Sequence, residues 1–177
     1  MLKNTFGIIF GISLALLSAL VSATPISGSG SGLASPGVML KFDEVVLATD
    51  SSVTTQYNSF GVTFSGLFYD SSCCIESWQP DGKSPYLGNI TTVTTSYSDW
   101  TVLFADQQSE VAFTMLSNME YHVLSAYLNG SLVESFIVNA TSGGSSAGYY
   151  GFTGIVFDEI RMDANCGGHV FSDSRLS

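Results

Sequence analysis

The chain is 177 residues long, with 45% hydrophobic residues and only 11% charged ones. Five Lys and Arg stand against 15 Asp and Glu, for a formal net charge of -10. That balance lacks the cations needed to neutralise phosphates or anionic headgroups, which excludes nucleic acid and anionic membrane surfaces as main partners. It is also too apolar and too sparsely charged for a disordered chain.

The N-terminus reads as a secretory leader. Lys3 gives the positive start, Phe6 to Val21 the apolar stretch, and Val21-Ser22-Ala23 a small-residue cleavage site. The apolar run falls short of a full bilayer span, so cleavage after Ala23 is expected, and no later run of about 18 apolar residues offers a second span. The expected location is therefore secreted or extracellular. Residues 24–37 read TPISGSGSGLASPG. That Gly, Ser and Pro content predicts a flexible tether. The folded part is then 38–177, about 140 residues and enough for one hydrophobic core.

Beyond residue 38 the apolar pattern has period two, and no stretch has a convincing helical period. Strands are predicted at Val38 to Phe42, Phe60 to Phe64 and the Thr-rich Ile90 to Tyr97. Trp100, Val102 and Phe104 point one way with Thr101 between, and Val111, Phe113 and Met115 repeat the pattern with Ala112 and Thr114 facing the other side. His122 to Leu128 and Leu132 to Val138 flank Asn129-Gly130, a pair that tolerates positive φ and predicts a hairpin turn. Residues 141–148 are a Gly- and Ser-rich loop, Phe152 to Met162 another strand, and Val170 to Leu176 the last. At least eight short strands, spaced about ten residues apart, predict an all-β antiparallel sandwich or barrel, and two facing sheets would bury the Phe, Val and Leu sets.

Several residues carry candidate chemistry. Trp78 lies in the loop-like run Ile75 to Gly82, close to Asp81. Loops at the ends of sandwiches commonly carry function. Aromatic faces stack on the apolar face of a sugar ring, and Tyr69 and Tyr86 join Trp78 as candidates. Trp100 opens an alternating strand and is expected in the core. Asp43, Glu44, Asp158, Glu159, Asp163 and Asp173 flank predicted strand ends, where carboxylates are placed to hold a hard cation such as calcium. Cys73, Cys74 and Cys166 would meet oxidising conditions after export. Cys166 with Cys74, or with Cys73, would close a long loop worth about 4 kcal/mol. Gly144 to Gly148 fits G-x-S-x-G, but a strand and not a helix is predicted after it, against a nucleophile elbow. No acid pair stands out for glycoside hydrolysis, so a non-enzymatic role is expected.

Three segments carry a resemblance. They are Leu40-Lys41-Phe42-Asp43-Glu44 with Gln56-Tyr57 and Phe60-Gly61-Val62-Thr63-Phe64; the hairpin Tyr121 to Val138; and Gly151 to Ile155 leading to Val170-Phe171-Ser172-Asp173-Ser174-Arg175-Leu176. Together they resemble the secreted bacterial jelly-roll modules found ahead of a PEP-CTERM sorting tail, over most of residues 39 to 176. Those modules are similar in shape to carbohydrate-binding jelly rolls, where a structural calcium commonly joins the first and last strands. The resemblance implies a jelly-roll-like sandwich, with Asp43 or Glu44 and Asp173 holding one Ca2+. The chain stops at Ser177 without a Pro-Glu-Pro motif, apolar helix or basic end. By this resemblance it is a released member or a truncated one. The function expected is binding or organising extracellular polysaccharide or a cell-surface glycan through Trp78, Tyr86, Tyr69 and Asp81. The alternative is a structural or adhesive protein acting through protein contacts, with a small glycan-active enzyme behind it. The oligomeric state is not legible.

Overall fold

A computed structural model describes residues 23–71, 85–91, 98–117, 122–138, 148–163 and 169–176, with backbone alone at 29, 116–117 and 169–176. Among these residues eleven strands form: β1 (Thr24–Ser29), β2 (Val38–Leu40), β3 (Ser51–Val53), β4 (Val62–Ser65), β5 (Leu67–Asp70), β6 (Tyr86–Gly88), β7 (Trp100–Ser117), β8 (His122–Leu128), β9 (Ser131–Val138), β10 (Gly148–Asp163) and β11 (His169–Leu176). One 3-10 turn spans Asn58–Phe60. Among the described residues no helix is long and apolar enough to cross a membrane.

The architecture is the expected all-β sandwich, with antiparallel pairing throughout. Two long strands generate it. The first halves of β7 and the last halves of β10 pair in one sheet, ordered β4-β7-β10-β8-β9. The other halves of the same two strands form the centre of a second sheet. That sheet runs from β1 through β10, β7 and β11 to β6, β5 and β3, with β2 on the far end of β11. The turn from one sheet to the other is visible as register slips in β10, between Thr153 and Phe157 and again between Phe157 and Glu159. Gly154 sits there at φ 76°, a conformation open to residues without a Cβ.

The inner faces meet through aromatic side chains. Phe136 of β9 and Phe152 of β10 come from opposite sheets, and their ring centroids lie 5.2 Å apart, edge to face. Phe104 meets Phe157 at 5.7 Å and Trp100 meets Phe113 at 5.8 Å. The alternating sets Trp100/Val102/Phe104 and Val111/Phe113/Met115 are buried, as their pattern requires. Trp100 is a core residue, as expected.

A second aromatic knot closes the β2 end. Phe42, Tyr57 and Phe64 form an edge-to-face triad with centroids 5.7, 5.8 and 6.1 Å apart. Phe42 is held at φ 64° and is fully buried, and the Tyr57 hydroxyl donates to its carbonyl at 3.1 Å. The Gln56 side chain accepts from Thr54 N–H at 2.6 Å and donates to the Ser52 carbonyl at 3.2 Å. The Phe-Asp and Gln-Tyr motifs thus work on one another to fix the chain path.

The hairpin forms as the sequence predicts. Asn129 and Gly130 take φ 50° and 75°, the pattern of a tight primed turn. Both oxygens of the Asp158 carboxylate accept from Asn129 N–H, at 3.0 and 3.1 Å.

Other expectations need correction. Residues 24–37 are no free tether: β1 pairs with β10, and Leu33 is buried with Ala112 and Tyr149, flanked by Ile26. Two apolar side chains in a Gly/Ser background suffice to seat the segment on the outside of the second sheet. Pro25 is tolerated because β1 is an edge strand. The two strands expected at Trp100 to Phe104 and Val111 to Met115 are one 18-residue strand. The strand expected from Phe60 starts only at Val62, after the 3-10 turn, and the one expected through Phe42 ends at Leu40, before the left-handed residue. Residues 92–97 of the Thr-rich strand, and 141–147 of the loop, lie outside the described residues.

Candidate functional site

The sequence-derived aromatic candidates divide between core and undescribed loop. Tyr69 and Tyr86 sit on the paired strands β5 and β6, at 3% and 4% exposure, so neither presents a ring face to a ligand. The Tyr86 hydroxyl donates to the Asp70 carboxylate at 3.1 Å, and burial together with Asp70 and Asp50 pushes its phenol well above the ordinary 10.0. Burial likewise raises Tyr69. Asp70 and Tyr86 end and begin the strands that bracket residues 72–84. Their hydrogen bond therefore clasps the base of the connection that carries Trp78 and Asp81. Trp78, Asp81 and the disulfide candidates Cys73, Cys74 and Cys166 lie outside the described residues.

The calcium candidates are partly brought together. Asp43 and Glu44 follow β2, and β2 pairs with β11 through Leu40 opposite Ser174, one residue from Asp173. The first and last strands of the resemblance are thus neighbours. Asp43 and Glu44 are both exposed, and Glu44 accepts from Lys41 N–H at 2.8 Å. Among the described residues no group of three or more His, Cys, Asp or Glu is arranged to hold a metal. Asp158, the acid at the hairpin, is occupied by the turn.

A different surface emerges from the strand register. On the outer face of the β4-β7-β10-β8-β9 sheet, one row across the strands reads Leu132, Tyr127, Glu159, Leu103, Thr63. The neighbouring row reads Ser135, Ser125, Arg161, Thr101, Ser65. Glu159 and Arg161 alternate with buried Ile160 and Met162, so both must face outward. Arg161 forms a two-pronged pair with Glu159, at 2.6 and 2.9 Å. Its guanidinium carbon also lies 4.1 Å above the centre of the Tyr127 ring. The hydrogen bond accepted by the Glu159 carboxylate raises the affinity of the guanidinium for its proton further. Leu132 and Leu103 at the two sides of this cluster are 58% and 46% exposed.

Chemically, this face combines three functions. The Glu159 carboxylate is only 9% exposed and both its oxygens accept from Arg161, so it orients the half-exposed guanidinium, whose planar fork donates, while the hydroxyls of Ser65, Thr101 and Ser135 donate and accept; Ser125 is buried. Tyr127, Leu103 and Leu132 add apolar contact around them. An open recess of about 450 Å³ lies elsewhere, between β1 and residues 31–34, with Glu110 and Thr153 on its wall. It has one carboxylate and no cation, a sparser set of groups.

Sequence reasoning placed Glu159 among strand-end acids and missed its partners. The signal was present in part: the i, i+2 spacing of Glu159 and Arg161 puts both on one face of a strand. Tyr127 enters only through the register of β8 against β10, which sequence does not display. No protein-family model matches the chain, and no curated protein is similar to it in sequence.

Proposed function

We propose that this chain is a secreted, non-enzymatic module that binds extracellular polysaccharide on the outer face of the β4-β7-β10-β8-β9 sheet. The observation that carries this reading is the Glu159–Arg161–Tyr127 cluster in the middle of that open face. Neighbouring hydroxyls of a pyranose need an acceptor and a donor side by side, and its C–H face needs an apolar or aromatic neighbour. Arg161, held in place by the buried Glu159, offers the donor, the hydroxyls of the neighbouring row offer the acceptor, and Tyr127 with Leu103 and Leu132 offers the apolar contact, on an open sheet face that suits a polymer better than an enclosed small ligand. Export rests on the leader read in residues 1–23. Trp78 and Asp81, on the connection held by Asp70 and Tyr86, are a second contact zone in this reading. A Ca2+ between Asp43 or Glu44 and Asp173 would tie β2 to β11 and stiffen the fold without taking part in sugar contact.

Native affinity electrophoresis through gels holding different polysaccharides, with calcium and with chelator, tests this. Retardation by one polymer, lost in Tyr127→Ala and Arg161→Ala with the fold intact, supports the sheet face. Retardation lost only in Trp78→Ala moves the site to the 72–84 connection. Uniform mobility across a broad panel rejects glycan binding and favours the second reading, a structural or adhesive protein. That reading draws on the exposed apolar side chains along β9.

A further inference from the structure

The Glu159–Arg161–Tyr127 cluster lies in a sheet with almost no positive charge. Where β4, β7, β10, β8 and β9 pair as one sheet they carry Asp106, Glu134, Asp158, Glu159 and Asp163, and Arg161 is the single Lys or Arg of these strands. Lys41 follows β2 and Arg175 lies in β11, both in the other sheet.

That one cation is already matched. Its Nε and Nη2 donate to both oxygens of Glu159, at 2.6 and 2.9 Å, and Glu159 is buried. The pair is neutral as a unit. What stays open is the outer part of the guanidinium, with Nη1 and the second Nη2 proton as donors. The next row along the strands reads Ile137, Val123, Asp163, and Asp163 is exposed. A polymer that leaves the cluster on that side meets a carboxylate and not a cation.

These charges sort the polymers that the face can hold. A uronate or sulfated chain repeats its anions along its length and brings them against a net negative sheet. An anion that reached Arg161 would share the guanidinium with Glu159, leaving two carboxylates on one cation and one charge unmatched. A polycation is drawn to the protein as a whole, yet the centre has no open carboxylate for it, because both Glu159 oxygens are taken. An uncharged polyol needs only donors, acceptors and apolar contact. The free guanidinium protons, the hydroxyls of Ser65, Thr101 and Ser135, and the side chains of Tyr127 and Leu103 supply these. On the glycan-binding reading above, we propose that the polymer held on this face is an uncharged polysaccharide, with Glu159 and Asp163 acting together to reject acidic ones. Glu159 cancels the one charge that would attract an anion, and Asp163 repels it from the edge of the cluster.

Beads coated with glucomannan, galactomannan or starch, and with each polymer oxidised to the carboxylate at C6, test this on the purified protein. Depletion from solution is measured at about 30 mM and about 300 mM salt, on either side of the 0.1 M at which charges are screened beyond about 10 Å. At least one parent polymer should bind, with less than about a twofold change between the two salts, and its carboxylated form should bind about tenfold more weakly at low salt. Salt should recover part of that loss. Asp163→Lys should raise the ratio of carboxylated to parent binding by about fivefold at low salt. Arg161→Ala and Tyr127→Ala should each weaken binding of the parent polymer; Tyr127→Ala serves if loss of Arg161 unsettles the buried Glu159. A carboxylated polymer bound as tightly as its parent or tighter overturns the inference and leaves polysaccharide binding standing. A parent polymer bound equally by wild type and by both variants overturns it by placing the contact off this face. No depletion by any of these polymers removes the glycan reading itself, and the inference with it.

Discussion

Replacing Tyr57 by Phe removes one oxygen from a fully buried ring and nothing else. That oxygen donates at 3.1 Å to the carbonyl of Phe42, itself buried and held at φ 64°. A left-handed conformation costs a residue with a Cβ about 1–2 kcal/mol, and the hydrogen bond together with the Phe42–Tyr57–Phe64 ring contacts is what offsets it. Loss of the hydroxyl leaves a buried acceptor unpaired, a penalty of about 1–3 kcal/mol. With the rings still packed, the lower half of that range applies, about 1.5 kcal/mol. For a domain of this size that is a fall in Tm of about 3–6 °C. Urea denaturation followed by tryptophan fluorescence would show it as a lower midpoint with an unchanged slope. The pH dependence adds a second readout. Burial, reinforced by Glu44, Tyr69 and Asp43, raises the Tyr57 phenol well above its ordinary 10.0. The folded state therefore keeps a proton that the unfolded chain releases, and wild-type stability falls as pH rises above about 10. Tyr57→Phe should show a shallower fall there. A midpoint shift under about 0.3 kcal/mol would refute the reasoning, since within the noise of surface substitutions the bond would count for nothing.

Asp158→Ala should loosen the β8–β9 turn by about 1 kcal/mol, because Asn129 N–H loses a charged acceptor. Faster hydrogen exchange at Asn129 and a lower melting temperature would report it, and unchanged exchange would reject it. His122 is buried, and that burial holds its imidazole below the ordinary 6.5 against the opposing pull of Asp163. Its folded pKa is depressed, so the contribution is complete above about 6.5 and is lost as pH falls below it. Tm measured between about pH 7 and pH 5 should decline in wild type and decline less in His122→Gln; parallel curves would sink the assignment.

The architecture was legible where a strand buries one face and alternates strictly. The Trp100 set, the Val111 set and the hairpin at Asn129-Gly130 fall in that class, because side-chain period and turn chemistry are local properties. β1, β3, β5 and β6 were not legible. Each is six residues or fewer, and each is held by a partner that sequence does not reveal: Ile26 by the neighbours of Tyr149, Ser52 by Phe68, Tyr69 by Leu87. The site suffered for the same reason. Aromatic type alone drew attention to Tyr69 and Tyr86, yet Tyr69 faces the core beside Leu87, and Tyr86 is buried on the opposite face of the β5–β6 pair beside Asp70. Glu159, Arg161 and Tyr127 come together only after the register of three strands is known.

The sharing of β7 and β10 between both sheets governs how this chain must be assembled. Thr153 hydroxyl donates to the carbonyl of Thr24 across 129 positions of sequence. The first strand therefore waits for the tenth, and neither sheet has a centre until the tenth is made. A nascent chain holds no half that closes by itself. The same dependence denies the molecule a stable fragment: cut anywhere before Gly148, both layers lose their spine together. Unfolding should consequently be a single event, with no stage at which one layer survives the other.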